Sequence, residues 1–279
     1  MTQADKQLET AVFYINLDRV PERRAFMEAQ FAKAGVTNPN RFSAVDARQA
    51  DALEGNGYAP GTGSRWGLKQ SEIACFESHR AVWQQVVDQD LKAVAIFEDD
   101  VEMSSRLGQV IDSLAQNADR FDFAKMDYSP RSLRFGAEAE IGGVTVRPLL
   151  EMAPSAAAYT LSQEGCRKLL AWSQQYSDHL DDFVSIPRPD WRMYQVFPAV
   201  GVQMIWSKQQ QDLEQVKTSE REGDQATNTG LDKGPFWFRA RRELFSAKRK
   251  LGWRFGGQKK LLDQSGFVGF IPVDTDLKV

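Results

Sequence analysis

The chain of 279 residues has only two cysteines and two histidines. Cys75 and Cys166 form no CxxC pair, and both fall in helical patterns. That usage excludes a disulfide framework and a cysteine-built zinc site, and it fits a reducing compartment. His79 and His179 alone are too few for a histidine-built metal cluster. No apolar run approaches the roughly 18 residues of a membrane-crossing helix. The first ten residues are polar and carry acids, without the apolar core of a leader peptide. The expected location is cytoplasmic. No internal repeat is found.

Composition is that of an ordinary globular chain, at 42% hydrophobic and 26% charged residues. The length is enough for a sizeable core, as one large domain or two small ones. The formal charge of −3 hides a division. Residues 232–260 hold ten Lys and Arg against Asp232 and Glu243, whereas the rest of the chain holds 25 basic and 36 acidic groups. A main body with a basic tail is expected, and the tail is expected to meet something anionic. Nucleic acid is not the expected partner, because the remainder of the chain is acidic.

The stretch AVAIF at 93–97 runs straight into Glu98, Asp99 and Asp100. A short apolar run with β-branched and aromatic members predicts a strand buried on both faces. Unpaired carboxylates cost several kcal/mol each to bury, so the strand must surface where the acids begin. That carboxyl edge is where open α/β sheets bind ligands. Side chains alternate along a strand, which sends Glu98 and Asp100 one way and Asp99 the other. Carboxylates this close repel one another unless a cation offsets them. Mg²⁺ or Mn²⁺ takes such oxygen ligands together with substrate phosphates, which predicts a metal–diphosphate site. The competing reading is a solvated strand end followed by a helix whose N-terminus attracts acids.

The remaining pattern alternates short strands with helices. Residues 11–17 read as a first strand and 21–35 as a helix opened by Pro21. Arg19, Arg23 and Arg24 at their joint form either an anion site or a solvated first turn. Residues 41–46 read as a strand ending in Asp46, and 47–69 as a long glycine-rich loop. A helix over 71–89, capped by Ser71, carries Glu72, Phe76, His79 and Trp83 on one face. That face either borders a cleft or packs His79 on Trp83. Further strands are expected at 121–127, 144–150, 156–161 and, as the last, 193–202. Helices are expected at 104–117 and 162–173. Residues 178–183 read as an acidic turn, and 207–235 as a mobile loop. The fold class is α/β, a sandwich with a largely parallel sheet. Residues 236–279 read as a basic amphipathic segment, with Trp237, Ala240, Leu244, Ala247 and Leu251 on one helical face. Arg239, Arg242, Lys248, Arg249 and Lys250 lie mostly elsewhere on it. Such a helix either lies in an anionic membrane interface or packs on the body.

These pieces together resemble glycosyltransferase family 25, which includes bacterial lipooligosaccharide galactosyltransferases and procollagen galactosyltransferases. The matching blocks are VFYINLDR at 12–19 with ERR at 22–24, RFSAVD at 41–46, EIACFESH at 72–79, IFEDDV at 96–101, and AYTLS at 158–162 with Leu169 and Leu170. The resemblance implies a GT-A-like, Rossmann-type catalytic domain over 1–206. It implies inverting transfer of galactose or glucose from a UDP-sugar to a saccharide or lipid-linked saccharide acceptor, in lipopolysaccharide or other surface-glycan synthesis. Within that frame Glu98 and Asp100 hold Mn²⁺ or Mg²⁺. Asn16, Arg19, Arg23, Arg24, Asp46, His79, Glu98 and Asp99 line the nucleotide-sugar site. Inversion needs one base for the acceptor hydroxyl proton. Asp181 or Asp182 is the first choice, and Glu72 the second. The sequence departs from the family pattern at His179-Leu180-Asp181, which lacks a proline, and around Glu72, where two glycines are absent. Other classes compatible with the acids are a metal-dependent phosphohydrolase and a non-catalytic nucleotide-sugar-binding module.

Overall fold

Strands that are apolar on both faces must be sandwiched between helices, and that layering is what forms. The computed structural model describes residues 11–208 and 231–279, apart from the side chains of Arg249 and Gln258. In chain order the body comprises β1 (Ala11–Asn16), α1 (Pro21–Lys33), β2 (Asn40–Ser43), α2 (Gln70–Asp88), β3 (Ala93–Glu98), β4 (Val101–Met103) and α3 (Leu107–Gln116). Then come β5 (Phe123–Lys125), β6 (Leu133–Phe135), β7 (Ala139–Ile141), β8 (Val144–Pro148), β9 (Ala158–Ser162), α4 (Gln163–Trp172), α5 (Leu180–Ser185), β10 (Met193–Val196) and β11 (Gly201–Gln203).

Eight strands form one sheet in the order β2-β1-β3-β9-β5-β10-β8-β7. β1 lies between β2 and β3 and is parallel to both, and β10 is parallel to β5. β9 runs antiparallel to β3 and β5, and β8 antiparallel to β10 and β7. The chain leaves β1 toward one neighbour and returns through α2 to the other. β1 is therefore a topological switch point, with a crevice at the carboxyl ends of β1 and β3. Alternation divides the core. Phe13, Ile15, Val94 and Ile96 pack with α2 residues Phe76 and Trp83 on one face. Val12, Tyr14, Ala95 and Phe97 pack with Phe31, Ile111 and Leu114 on the other.

Several boundaries differ from the sequence reading. The strand expected at 193–202 is two strands, β10 and β11, parted at Phe197–Pro198. Pro198 lacks the N–H that a ladder needs. β11 instead pairs antiparallel with β4, the continuation of the chain past the acids. The acidic turn at 178–183 opens α5. α2 begins ahead of Ser71, and Glu72 Oε2 accepts the Lys69 backbone N–H at 2.8 Å.

Of the expected mobile loop, residues 209–230 lie outside the described residues. Beyond it come α6 (Phe236–Gly252), a kink over Trp253–Gly257, α7 (Gln258–Asp263) and β12 (Phe267–Gly269). The segment expected at 236–279 is not one unit. β12 pairs with β6, Ile271 and Leu277 are buried, and buried Asp274 accepts the Ser104 hydroxyl at 2.7 Å. α6, the kink and α7 are mostly exposed and touch the body through Phe238 on Trp66 and Trp253 beneath Arg134. Among the described residues, no helix is long and apolar enough to cross a membrane.

Candidate functional site

The end of β1, the first turn of α1 and the acidic turn after β3 meet at the crevice. Asn16 closes β1 and is almost fully buried. Its side-chain nitrogen donates to Asp99 Oδ2 at 2.8 Å and to the Val20 carbonyl at 3.1 Å. It thereby ties the strand end, the start of α1 and the acidic turn together. From the first turn of α1, Arg23 donates to Asp99 Oδ1 at 2.7 Å and lies 3.8 Å from Asp100 Oδ2. Burial pushes the Asp99 carboxyl up, and the Arg23 charge and the Asn16 hydrogen bond oppose that push. From β2, Arg41 donates to Asn16 Oδ1 at 3.0 Å and pairs with Asp18.

Glu98 and Asp100 face another partner. The Gln203 side-chain nitrogen, from β11, donates to Glu98 Oε2 at 3.1 Å and to Asp100 Oδ1 at 3.3 Å. The alternation expected from the strand therefore persists through the turn. The Ser155 hydroxyl lies 2.9 Å from Gln203 Oε1 and also reaches Asp127. Asp127 is ion-paired with Lys125, and both are fully buried.

The helix α2 acts as a ruler along this crevice. Glu72, Cys75 and His79 share one face, and Glu72 and His79 are two turns or about 10 Å apart. At the near end, Glu72 Oε1 lies 2.9 Å from His179 Nε2, at the start of α5. Burial pushes Glu72 up, but the His179 and Lys69 hydrogen bonds outweigh it and hold the carboxyl below its usual range. At the far end, His79 Nδ1 meets the Tyr159 hydroxyl at 2.7 Å, and that hydroxyl accepts the Trp83 indole N–H at 3.1 Å. Donor atoms of Cys75, His79 and Glu98 lie within 4.8 Å of one another. His79 is thus both a core residue and a neighbour of the acidic turn.

In α5, Asp182 pairs with Arg65 at 3.3 Å. Asp181 keeps a buried Oδ1 with no hydrogen-bond partner among the described residues. The loop at 47–69 is fastened beside α5, where Gly63 N–H donates to Ser177 Oγ at 2.7 Å and Ser64 N–H to Asp178 Oδ1 at 2.6 Å. A Cβ on Gly63 would come within 2.1 Å of the Asp178 carboxylate, so a larger residue there would displace the Asp178 side chain that fastens the loop.

The expected site residues divide accordingly. Asn16, Arg23, Glu98, Asp99, Asp100 and His79 gather at the crevice. Arg19 pairs with Asp46 at 2.7 Å on its rim. Arg24 does not join them; it is half-exposed and bonds Glu28 at 2.8 Å, one turn along α1. Glu72, Asp181 and Asp182 cluster at the α2–α5 end. The sequence reading missed Arg41 and Gln203. Arg41 was readable as a charge inside a strand beside the site. Gln203 carries no local signal, because its position follows from β11 pairing with β4.

Open α/β sheets bind ligands in the crevice at such a switch point, and arginines there can pair with carboxylate or phosphate oxygens. The chain belongs to glycosyltransferase family 25, whose profile, described as an LPS biosynthesis protein, matches residues 9–184. It is similar to a glycosyltransferase 25 family member of Drosophila melanogaster, with 33% identity over 172 residues that cover 57% of this chain and 27% of that one. It is also similar to human procollagen galactosyltransferase 2, with 30% identity over 179 residues, 60% of this chain and 28% of that one. A mouse relative named an inactive glycosyltransferase 25 family member 3 matches at 28% over 169 residues, 57% of this chain and 28% of that one. The matched region thus spans little more than a quarter of these relatives.

Proposed function

We propose that the chain is an active, inverting hexosyltransferase that moves galactose or glucose from a UDP-sugar to a saccharide acceptor. The observation that carries this reading is the convergence of Glu98 and Asp100 on one nitrogen, at the crevice where Arg23 and Asn16 also meet. Two carboxylate oxygens within hydrogen-bond reach of a single atom fit a hard divalent cation, so Glu98 and Asp100 are the residues that would hold Mn²⁺ or Mg²⁺. When bound, such a cation supplies Lewis-acid stabilisation of the departing diphosphate. Arg23 adds positive charge beside it. Asn16 and Asp99 hold Arg23 and the turn in position, and Arg19 and Asp46 border the nucleotide.

In the transfer, the bond from the anomeric carbon to the diphosphate oxygen breaks. A bond to the acceptor oxygen forms on the opposite face, and the hydroxyl proton passes to a carboxylate. Asp181 is the favoured base. Its Oδ1 has no hydrogen-bond partner among the described residues, whereas Asp182 is paired with Arg65, and both Glu72 oxygens are engaged.

The acceptor is a lipid-linked saccharide of a surface glycan such as lipopolysaccharide, met at the cytoplasmic face of the inner membrane. Support comes from α6. Its buried anchor Phe238 packs on Trp66, 5.3 Å between ring centroids, in the loop fastened beside α5. The rest of α6 offers exposed aromatic and basic residues.

Calorimetry and a transfer assay with a panel of nucleotide sugars, with and without Mn²⁺, test this. Metal-dependent UDP-sugar binding and turnover are expected, and binding is lost in Glu98→Gln and Asp100→Asn. Binding without turnover on any acceptor would favour the non-catalytic module. Release of phosphate from simple esters would favour the phosphohydrolase.

A further inference from the structure

The hairpin of α6 and α7 carries more exposed apolar surface than a solvated helix pair needs. Trp237, Leu244, Phe245, Leu251 and Phe255 are all more than half exposed. Arg239, Arg241, Arg242, Lys248, Lys250, Arg254, Lys259 and Lys260 are exposed among them. Between the two helices opens a cleft of about 540 Å³. Leu150, Phe245, Trp253 and Leu261 supply apolar lining, and Lys248 and Lys260 supply two ammonium groups. Among the described residues, no acidic one lines it. The Arg134 guanidinium lies 4.6 Å from the Trp253 ring centroid and holds that wall to the body.

We propose that this cleft is a binding site for one anionic phospholipid of the bilayer. The inference rests on, and deepens, the reading of α6 as a membrane-facing helix. The lipid phosphate sits between Lys248 and Lys260. The first carbons of its chain lie against Phe245, Trp253 and Leu261. The lining chooses an amphiphile over a bare anion, because an inorganic phosphate would leave the apolar wall in water. It chooses an anionic lipid over a zwitterionic one, because two ammonium groups face the cleft without a carboxylate. Exposed aromatic residues around the mouth suit the headgroup layer of a membrane.

The test uses the full chain and two probes. The first is monomeric dihexanoylphosphatidylglycerol below its micelle concentration, followed by tryptophan fluorescence. The second is phosphatidylcholine vesicles with and without phosphatidylglycerol, followed by sedimentation. Saturable binding of the monomer is expected, with the signal lost in Trp253→Phe. Lys248→Ala/Lys260→Ala should weaken binding at least about 30-fold, the loss of two lysine–anion contacts. Arg239→Ala/Arg242→Ala removes the same charge outside the cleft and should retain monomer binding. Inorganic phosphate should not compete. If the two double variants lose monomer binding equally, or phosphate competes as well as the lipid, the cleft is not a lipid site. Vesicle binding without monomer binding would overturn the cleft and leave membrane attachment standing. If the chain ignores anionic vesicles as well, both readings fall, while UDP-sugar binding remains a separate measurement.

Discussion

Gln203 donates its side-chain amide to Asp100 at 3.3 Å, across 103 residues of sequence, and the same nitrogen holds Glu98 at 3.1 Å. Two carboxylates that would otherwise repel are thereby kept converging on one point. The amide serves as a neutral clamp on oxygens that a cation can share.

Gln203→Leu is therefore expected to weaken Mn²⁺-dependent UDP binding by about 10–100-fold, the usual cost of losing a residue that orients metal ligands. Calorimetry at fixed UDP with varied Mn²⁺ measures it. Native affinity in the variant would remove Gln203 from the site.

Asp181→Asn is expected to keep donor affinity and to lose turnover by roughly 10²–10⁴-fold, the scale of a lost general base. Asp182→Asn loses a partly exposed partner of Arg65 and should stay within a few-fold of the native kcat. The reverse ranking would move the proton to Asp182, and two near-native variants would send it to Glu72.

Arg23→Met leaves Asp99 buried without its cation. Removing one partner of such a pair costs about 3 kcal/mol at neutral pH, read from urea denaturation. Burial already raises Asp99, and the loss of Arg23 raises it further. The penalty belongs to the ionised carboxylate, so it is fully present above the folded value and fades as acid protonates the group. The stability gap to the native chain should narrow as pH falls. A gap independent of pH would mean that Arg23 acts through packing alone.

Asp122 gives the opposite pH signature. Burial pushes it up, but hydrogen bonds from Arg192 at 2.9 Å, from its backbone N–H at 2.8 Å and from Lys168 at 3.1 Å outweigh that and hold it down. A lowered carboxyl stabilises above its unfolded value, near 3.9, and the contribution disappears as pH falls through the folded value. Asp122→Asn should lower Tm clearly at pH 7 and much less near pH 3. Equal losses at both pH values would exclude a charge effect.

Ending the chain at Gly234 removes β12, Ile271 and Leu277 along with the basic hairpin. The shortened protein is expected to melt well below the full chain and to aggregate on expression. A cooperative melt at the native Tm would show that these buried contacts are dispensable.

Local physics made much of this molecule legible in its sequence. β1 and β3 announce themselves because a strand buried on both faces must be apolar throughout. The acids close β3 but do not bring the chain to the surface: Asp99 is buried against Asn16 and Arg23, and the chain runs on into buried β4, because a desolvated carboxylate is tolerated where it is paired. Helical period alone set Glu72 and His79 on one face of α2. The tertiary structure decided what depends on distant partners. Arg23 and Arg24 are adjacent and chemically equal, yet a helical rotation of about 100° per residue turns one to Asp99 and the other to Glu28. Gln203 reaches the acids only because β11 pairs with β4 in one register, opposite Val101. The apolar face of α6 is exposed because the body covers Phe238 and leaves the later turns uncovered. Periodicity and desolvation act on a residue and its near neighbours, whereas strand register and the covering of a face are set by chain segments far apart in sequence.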